Sequence, residues 1–174
     1  WADGFLPSSS KAFPESGWHT FDFAMKKGSG PKGVVQTADG RPVADVQVAL
    51  LGAGYLSLGR GTLKRLDQRG TVSSKTDAQG QFSLPAALPN QTIVAVHEQG
   101  YAEVSAEDLA KDSRMTLQPW GSVEGVLRKG TKPWPGEDVM LAPKQGGMIS
   151  LNYDWENFKV STDPDGRFAF THVP

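Results

Sequence analysis

The sequence contains no cysteine among its 174 residues. This absence excludes a disulfide framework, a thiol nucleophile and a zinc site built on thiolates. It also suits an oxidising compartment, where a stray thiol is a liability. We therefore expect an extracytoplasmic location, in the periplasm or at the cell surface, with a cytoplasmic host as the alternative.

The chain also lacks an excess of charge of one sign. It has 18 Lys and Arg against 19 Asp and Glu, which gives a formal net charge of −1. Such a balance creates no general field to attract nucleic acid or anionic lipid. The longest nearly apolar run, residues 48–58, is about half of a membrane span and is interrupted by Gly and Ser. We expect no nucleic-acid partner and no membrane insertion of this segment.

Internal repetition is the main feature that the sequence does have. Several motifs occur twice, with a period of about 90 residues. Each Gly-aromatic pair is followed by an alternating strand, at 21–25 and at 115–118, that ends just before a new Gly-x-Val segment. The duplicated motifs are a Gly-x-Val start with a Gly/Pro turn (33–42 and 125–133), a Thr-Asp-x-x-Gly-x-Phe hairpin (76–82 and 162–168) and a Gly-aromatic pair (4–5 and 100–101).

The repeats divide the chain into three predicted parts. Residues 1–28 correspond to the C-terminal part of a preceding repeat. Residues 29–119, called the first unit below, form a complete repeat, and residues 120–174, the second unit, form the N-terminal part of another. Because both ends fall inside a repeat, we expect a segment of a longer tandem array.

The spacing within one unit predicts an all-β sandwich. Short runs rich in Val, Leu, Phe and Thr alternate with turn residues. Asp77 and Asp163 stand first in their turns, where a carboxylate can accept backbone N–H groups. Residues 105–111 predict one short helix with Ser105 as its N-cap. The predicted strands lie near 33–38, 45–51, 71–76, 80–84, 92–97, 101–104 and 114–118.

These motifs resemble the bacterial carboxypeptidase regulatory-like domain, a transthyretin-like, seven-stranded Greek-key β-sandwich. The resemblance covers most of residues 29–174. It implies tandem sandwiches of about 90 residues each. It also implies a non-catalytic module of a multidomain bacterial protein, which spaces or positions another domain. The matching segments are 33–50, 76–84 and 97–104, with a second copy in 121–141 and 162–174.

Motifs that would support catalysis or cofactor binding are incomplete. Residues 52–57 begin like a dinucleotide loop, but they lack the third Gly and a βαβ unit. The three His residues have no metal-ligand spacing, and no Gly-x-Ser-x-Gly elbow occurs. A glycosidase pair of carboxylates stays open as an alternative because acids are plentiful. We expect no enzyme activity, no cofactor and no metal, with neighbouring domains as the main partners.

Aromatic side chains suggest an alternative role in binding a glycan or a peptide. Leu151, Tyr153 and Trp155 fall on one face of a strand by period-two alternation. Their rings could stack against sugar faces, although the same rings could also pack in a sandwich core. Trp120 and Trp134 are instead predicted to pack between units, because Trp120 follows Pro119 at the junction.

Positive charge concentrates in the insertion at residues 52–70. We interpret this insertion as a loop between strands, either solvated or a docking patch for an acidic partner. The candidate docking residues are Arg60, Lys64, Arg65 and Arg69.

Overall fold

The computed structural model describes residues 4–6, 8, 10, 12–13, 16–51, 56–59, 61–64, 72–88, 90–141, 151–153 and 158–174. Strands are the main element of these residues, together with one short helix, so the all-β expectation is confirmed. The strands are β1 (Lys32–Gln36), β2 (Gln47–Leu50), β3 (Leu56–Gly59), β4 (Thr62–Lys64), β5 (Val72–Lys75), β6 (Gln81–Ser83), β7 (Thr92–His97), β8 (Gly100–Ser105), β9 (Arg114–Thr116), β10 (Gly121–Val126), β11 (Arg128–Lys129), β12 (Lys132–Pro133), β13 (Asp138–Met140), β14 (Leu151–Tyr153), β15 (Lys159–Ser161) and β16 (Arg167–Val173); the helix α1 is Ala106–Lys111.

Two sheets make up the body of the first unit. One has the strand order β6-β1-β9, and the other has the order β5-β2-β7-β8. β1 pairs antiparallel with β6 and parallel with β9, whereas the second sheet is antiparallel throughout. All seven strands expected in the first unit are present at their predicted places.

One hydrophobic core lies between these two sheets. Strand alternation sends every second side chain of β2 and β7 into it. Burying these aliphatic and aromatic groups removes apolar surface from water, which is the main stabilising term of such a fold. Members from both sheets include Val35, Val48, Leu50, Phe82, Ile93, Met115 and Leu117.

The opposite face of β2 and β7 is covered by a β-hairpin that we did not predict. β3 and β4 pair antiparallel, and Leu58 and Leu63 pack against Val94 and Val96. The side-chain oxygen of Gln47 accepts a hydrogen bond from the backbone N–H of Leu63 at 3.0 Å. Residues 56–59 and 61–64 of the predicted loop are therefore a packed hairpin.

The helix α1 closes the loop between β8 and β9. The Ser105 hydroxyl accepts a hydrogen bond from the backbone N–H of Asp108 at 3.0 Å, as expected of an N-cap. Leu109 points into the core of the first unit and is buried. The predicted helix and its cap are confirmed.

The second unit repeats part of this arrangement. β10 pairs antiparallel with β16, and β13 pairs antiparallel with β15. These pairs correspond to β1 with β6 and to β2 with β5. Within the residues placed by the structure, no strands corresponding to β7 and β9 join them.

The same turn occurs in both units. The Asp77 carboxylate accepts hydrogen bonds from the backbone N–H groups of Gln79 and Gln81, at 2.9 and 2.8 Å. The Asp163 carboxylate accepts equivalent bonds from Asp165 and Arg167, also at 2.9 and 2.8 Å. The predicted role of both carboxylates is confirmed.

Candidate functional site

The strongest candidate for a functional surface is the junction that Trp120 forms between the two units. Tyr101 and Gln118 form a β-bridge, which places the following residues along the edge strand β8. The indole Nε1–H of Trp120 donates a hydrogen bond to the carbonyl oxygen of His97 at 2.8 Å. The Trp120 ring also stacks on Tyr101, with centroids 5.2 Å apart. Trp120 is thus fixed to the first unit.

The second unit contributes His172 of β16 to the same junction. Its imidazole meets the Trp120 ring edge-on, with centroids 5.6 Å apart. Gly61, in the turn of the β3–β4 hairpin, also lies close to this imidazole. A Cβ atom on Gly61 would lie 2.7 Å from His172 Cδ2, so the close approach requires glycine. The expectation that Trp120 packs between the units is confirmed.

A second connection between the units runs through the backbone. β14 of the second unit pairs in parallel with β3 of the hairpin, with Leu151 opposite Leu56 and Tyr153 opposite Leu58. The β3–β4 hairpin in turn packs on β7 through apolar side chains. The hairpin therefore links β14 of the second unit to the sheet of the first unit.

An open groove occurs at the corresponding place in each unit. In the first unit it lies along β1, β5 and β6, and its polar lining includes Lys32, Lys75 and Gln81. In the second unit the lining includes Glu124 and Arg167. With Asp77 also lining the first groove and Asp163 the second, the charged lining residues carry one net positive charge in the first groove and one net negative charge in the second, so no common ligand chemistry is indicated.

Among the residues that the structure describes, the shifted pKa values all belong to exposed groups. A hydrogen bond from the Ser105 hydroxyl, helped by Lys111, lowers the pKa of Asp108. Lys159 and then Ser161 lower the pKa of Asp138, and Arg114 lowers that of Asp112. These shifts follow from surface ion pairs and hydrogen bonds, which also hold the carboxylates in their ionised form.

The structure locates only some of the predicted binding residues. Lys64 is exposed on β4. Tyr153 belongs to β14, so a strand is confirmed there, while its side chain lies outside the description. Trp134 contacts Lys129 of its own unit, whose Nζ lies 5.1 Å from the ring centroid. The remaining predicted residues lie outside the described residues: Arg60, Arg65, Arg69 and Trp155.

His172 and Gly61 were missed by sequence reasoning. Each is distant from Trp120 along the chain, and neither carries a motif. The available signal was Trp120 itself, since a Trp beside Pro119 at a unit boundary needs packing partners from both sides.

Comparison with known proteins identified no relative of this chain. Neither protein-family models, curated proteins nor solved structures gave a match to the chain. In the residues that the structure describes, no cluster of His, Asp and Glu is arranged to hold a metal ion. No helix among them is long and apolar enough to cross a membrane.

Proposed function

We propose that this chain is a non-catalytic structural and interaction module that spaces or positions another domain of a larger protein. It would do so with transthyretin-like sandwich repeats of the carboxypeptidase regulatory-like kind. The observation that carries the proposal is the Trp120 junction. One side chain contacts His97 and Tyr101 of the first unit and His172 of the second. A hydrogen bond combined with ring packing restrains both distance and orientation, which a spacer requires.

The repeated hydrogen bonds support the proposed tandem arrangement. The Thr76 hydroxyl contacts the backbone of Val43 and Val46. The Thr162 hydroxyl contacts the backbone of Trp134 and Glu137 in the same way. Equivalent bonds from equivalent motifs are what two copies of one building block would form.

The rigidity of the junction can be measured with spin labels because the chain has no native cysteine. Gln79→Cys and Asp165→Cys place one label on the exposed turn of each unit. Pulsed dipolar spectroscopy is expected to give one narrow distance. Trp120→Ala should broaden it, since both the hydrogen bond and the ring contacts are lost.

Trp18→Ala is the matched control, because Trp18 is fully exposed and its removal should leave the distance unchanged. A broad distance in the parent chain, or no effect of Trp120→Ala, would contradict the proposal. So would substrate turnover by residues 1–174 that a single acid-to-amide substitution abolishes.

A further inference from the structure

One side of the first unit leaves an open groove between its two sheets. On the opposite side, Tyr101 of β8 and Gln118, which follows β9, exchange two backbone hydrogen bonds of 2.9 and 2.7 Å. On the open side lie β5 and β6, which are outer strands of different sheets. No strand in the described part of the chain pairs with the outer edge of either one. The groove along β1, β5 and β6, called the first groove below, lies beside these two edges.

The outer edge of β6 is already occupied by its own turn. The Asp77 carboxylate accepts a hydrogen bond from the backbone N–H of Gln81 at 2.8 Å. The backbone N–H of Asp77 donates to the carbonyl oxygen of Gln81 at 3.0 Å. Both backbone groups of Gln81 are therefore used, and little of this short strand is left for a partner.

The outer edge of β5 is available to a partner strand. The backbone N–H of Thr76 donates to the carbonyl oxygen of Val46, so the backbone of Thr76 faces β2. Backbone groups alternate in direction along an antiparallel strand, so those of Ser73 and Lys75 face away from β2. Outward N–H and C=O groups of this kind are the ones to which an added strand binds.

Positive charge surrounds this edge. Lys75 of β5 and Lys32 of β1 both line the first groove and come from different sheets. Within the described residues neither lysine takes part in an ion pair. Asp77, the other charged residue of the lining, has its carboxylate engaged in its own turn. Hydroxyl groups add further hydrogen-bond donors to the lining: Ser74, Ser83 and Ser113.

We propose that the first groove binds an extended acidic segment of a partner protein, which adds as a strand beside β5. Main-chain hydrogen bonds to Ser73 and Lys75 supply affinity, and side chains supply selectivity. Because Lys32 and Lys75 belong to different sheets, the segment needs carboxylates on both of its faces. The inference rests on the interaction role in the proposed function and assigns that role a surface and a partner chemistry.

The same charges disfavour a second copy of the chain as the partner. Antiparallel pairing of two β5 strands would place two Lys75 side chains within one short ladder, and like charges there repel each other. A lysine on an edge strand is a common protection against such self-pairing. An acidic strand turns the repulsion into attraction, so the edge selects its partner by charge.

The second unit provides an internal comparison. Its strands β10 and β15 correspond to β1 and β5, and they carry Glu124 and Ser161 in place of Lys32 and Lys75. Neither lysine has a basic counterpart, so an acidic segment should bind beside β5 and not beside β15.

The test uses a labelled synthetic peptide with a repeat of Glu-Glu-Thr, which carries carboxylates on both faces of a strand. Fluorescence anisotropy with residues 1–174 is expected to show saturable binding that weakens as salt is added. A Lys-Lys-Thr peptide of the same length should not bind. Hydrogen exchange should show that the Glu-Glu-Thr peptide slows exchange at the amides of Ser73 and Lys75 and leaves those of β15 unchanged.

Variants separate the charge from the strand edge. Lys75→Glu and Lys32→Glu should each weaken binding by about tenfold or more, since attraction becomes repulsion. Ser73→Pro should weaken it at least as much, because proline removes an outward N–H and keeps the hydrogen bonds between β2 and β5. Exchange protection of β2 checks that each variant is folded. Lys132→Glu is the matched control, because it changes the net charge equally at an exposed site outside the first groove.

The inference would be overturned by a chain that ignores the Glu-Glu-Thr peptide at low salt, or that binds both peptides equally. Unchanged affinity in both lysine variants would also overturn it. If an acidic oligosaccharide displaced the peptide and bound Ser73→Pro as tightly as the parent chain, the groove would recognise charge without a strand, and the proposal would be wrong. Failure to bind the peptide, together with a single narrow label distance, would leave the proposed spacing function standing.

Discussion

The Thr76 hydroxyl donates a hydrogen bond to the carbonyl oxygen of Val43, with 2.8 Å between the oxygen atoms. The same hydroxyl accepts a hydrogen bond from the backbone N–H of Val46 at 2.9 Å. Thr76 is buried, so water cannot replace either partner. One side chain thus satisfies two backbone groups of the loop that leads into β2.

We expect Thr76→Val to lower the free energy of unfolding by about 2–4 kcal/mol. Valine keeps the shape of threonine but removes the hydroxyl, which leaves the N–H of Val46 and the carbonyl of Val43 buried without a partner. Urea denaturation followed by tryptophan fluorescence measures the change.

Thr131→Val is the matched control, because Thr131 is exposed and its substitution should change stability by less than about 0.5 kcal/mol. Thr162→Val should likewise destabilise the second unit, since the Thr162 hydroxyl makes the equivalent hydrogen bonds there. Equal effects of Thr76→Val and Thr131→Val would refute this account of the buried hydroxyl.

Much of the first unit could be predicted from sequence because its signals are local. β7 has a run of buried aliphatic residues between turns, and the turn at 77–80, which connects the two sheets, has fixed turn chemistry. The Asp77 carboxylate and the Ser105 hydroxyl accept hydrogen bonds from backbone N–H groups only two or three residues further along the chain. Such local rules are visible without a three-dimensional structure.

The β3–β4 hairpin and the partners of Trp120 at the junction could not be predicted because they depend on distant contacts. Leu58 and Leu63 stand in short runs next to Gly and charged residues, so their alternation is too brief to indicate strands. They are ordered by packing on Val94 and Val96. His172 is placed by pairing between β10 and β16, which its own neighbours in sequence do not reveal.

A pair of glycine substitutions tests the turn between β5 and β6, which belong to different sheets. Gly80 has a φ of +72°, and a Cβ atom there would lie 2.6 Å from the carbonyl oxygen of Val35. Gly40 has a φ of +81° but an open surrounding. Gly40→Ala should therefore cost about 1–2 kcal/mol, from backbone strain alone.

Gly80→Ala should cost about 1–3 kcal/mol more than Gly40→Ala, because the backbone of β1 must also move. Thermal and urea unfolding of both variants measure the difference. If Gly40→Ala were as destabilising as Gly80→Ala, the close contact with Val35 would not be the cause.

The ion pair between Lys159 and Asp138 predicts a pH dependence. Lys159, together with the Ser161 hydroxyl, lowers the pKa of Asp138 below its ordinary value of 3.8. A carboxyl whose pKa is lower in the folded state stabilises the fold above the unfolded-state value. This contribution is lost as the pH falls through the folded-state pKa, in the acid range below about 4.

Carbon-detected NMR titration of Asp138 is expected to show its pKa rising toward the ordinary value in Lys159→Met. Lys132→Met is the control, because Lys132 is not among the groups that shift Asp138. High salt should reduce the shift in the parent chain, since the pair is exposed. An unchanged Asp138 titration in Lys159→Met would show that the ion pair is not formed in solution.

The N-cap of α1 gives the last prediction. Ser105→Ala should destabilise the chain by about 1 kcal/mol, because the backbone N–H of Asp108 loses its acceptor. The loss should be local first: fraying of α1 exposes Leu109, and the amides of the helix should exchange faster with solvent. Ser105→Asn retains a capping side chain and is expected to keep most of the stability. Hydrogen exchange by NMR separates the two variants, and equal protection of α1 in both would mean that packing of Leu109 alone holds the helix.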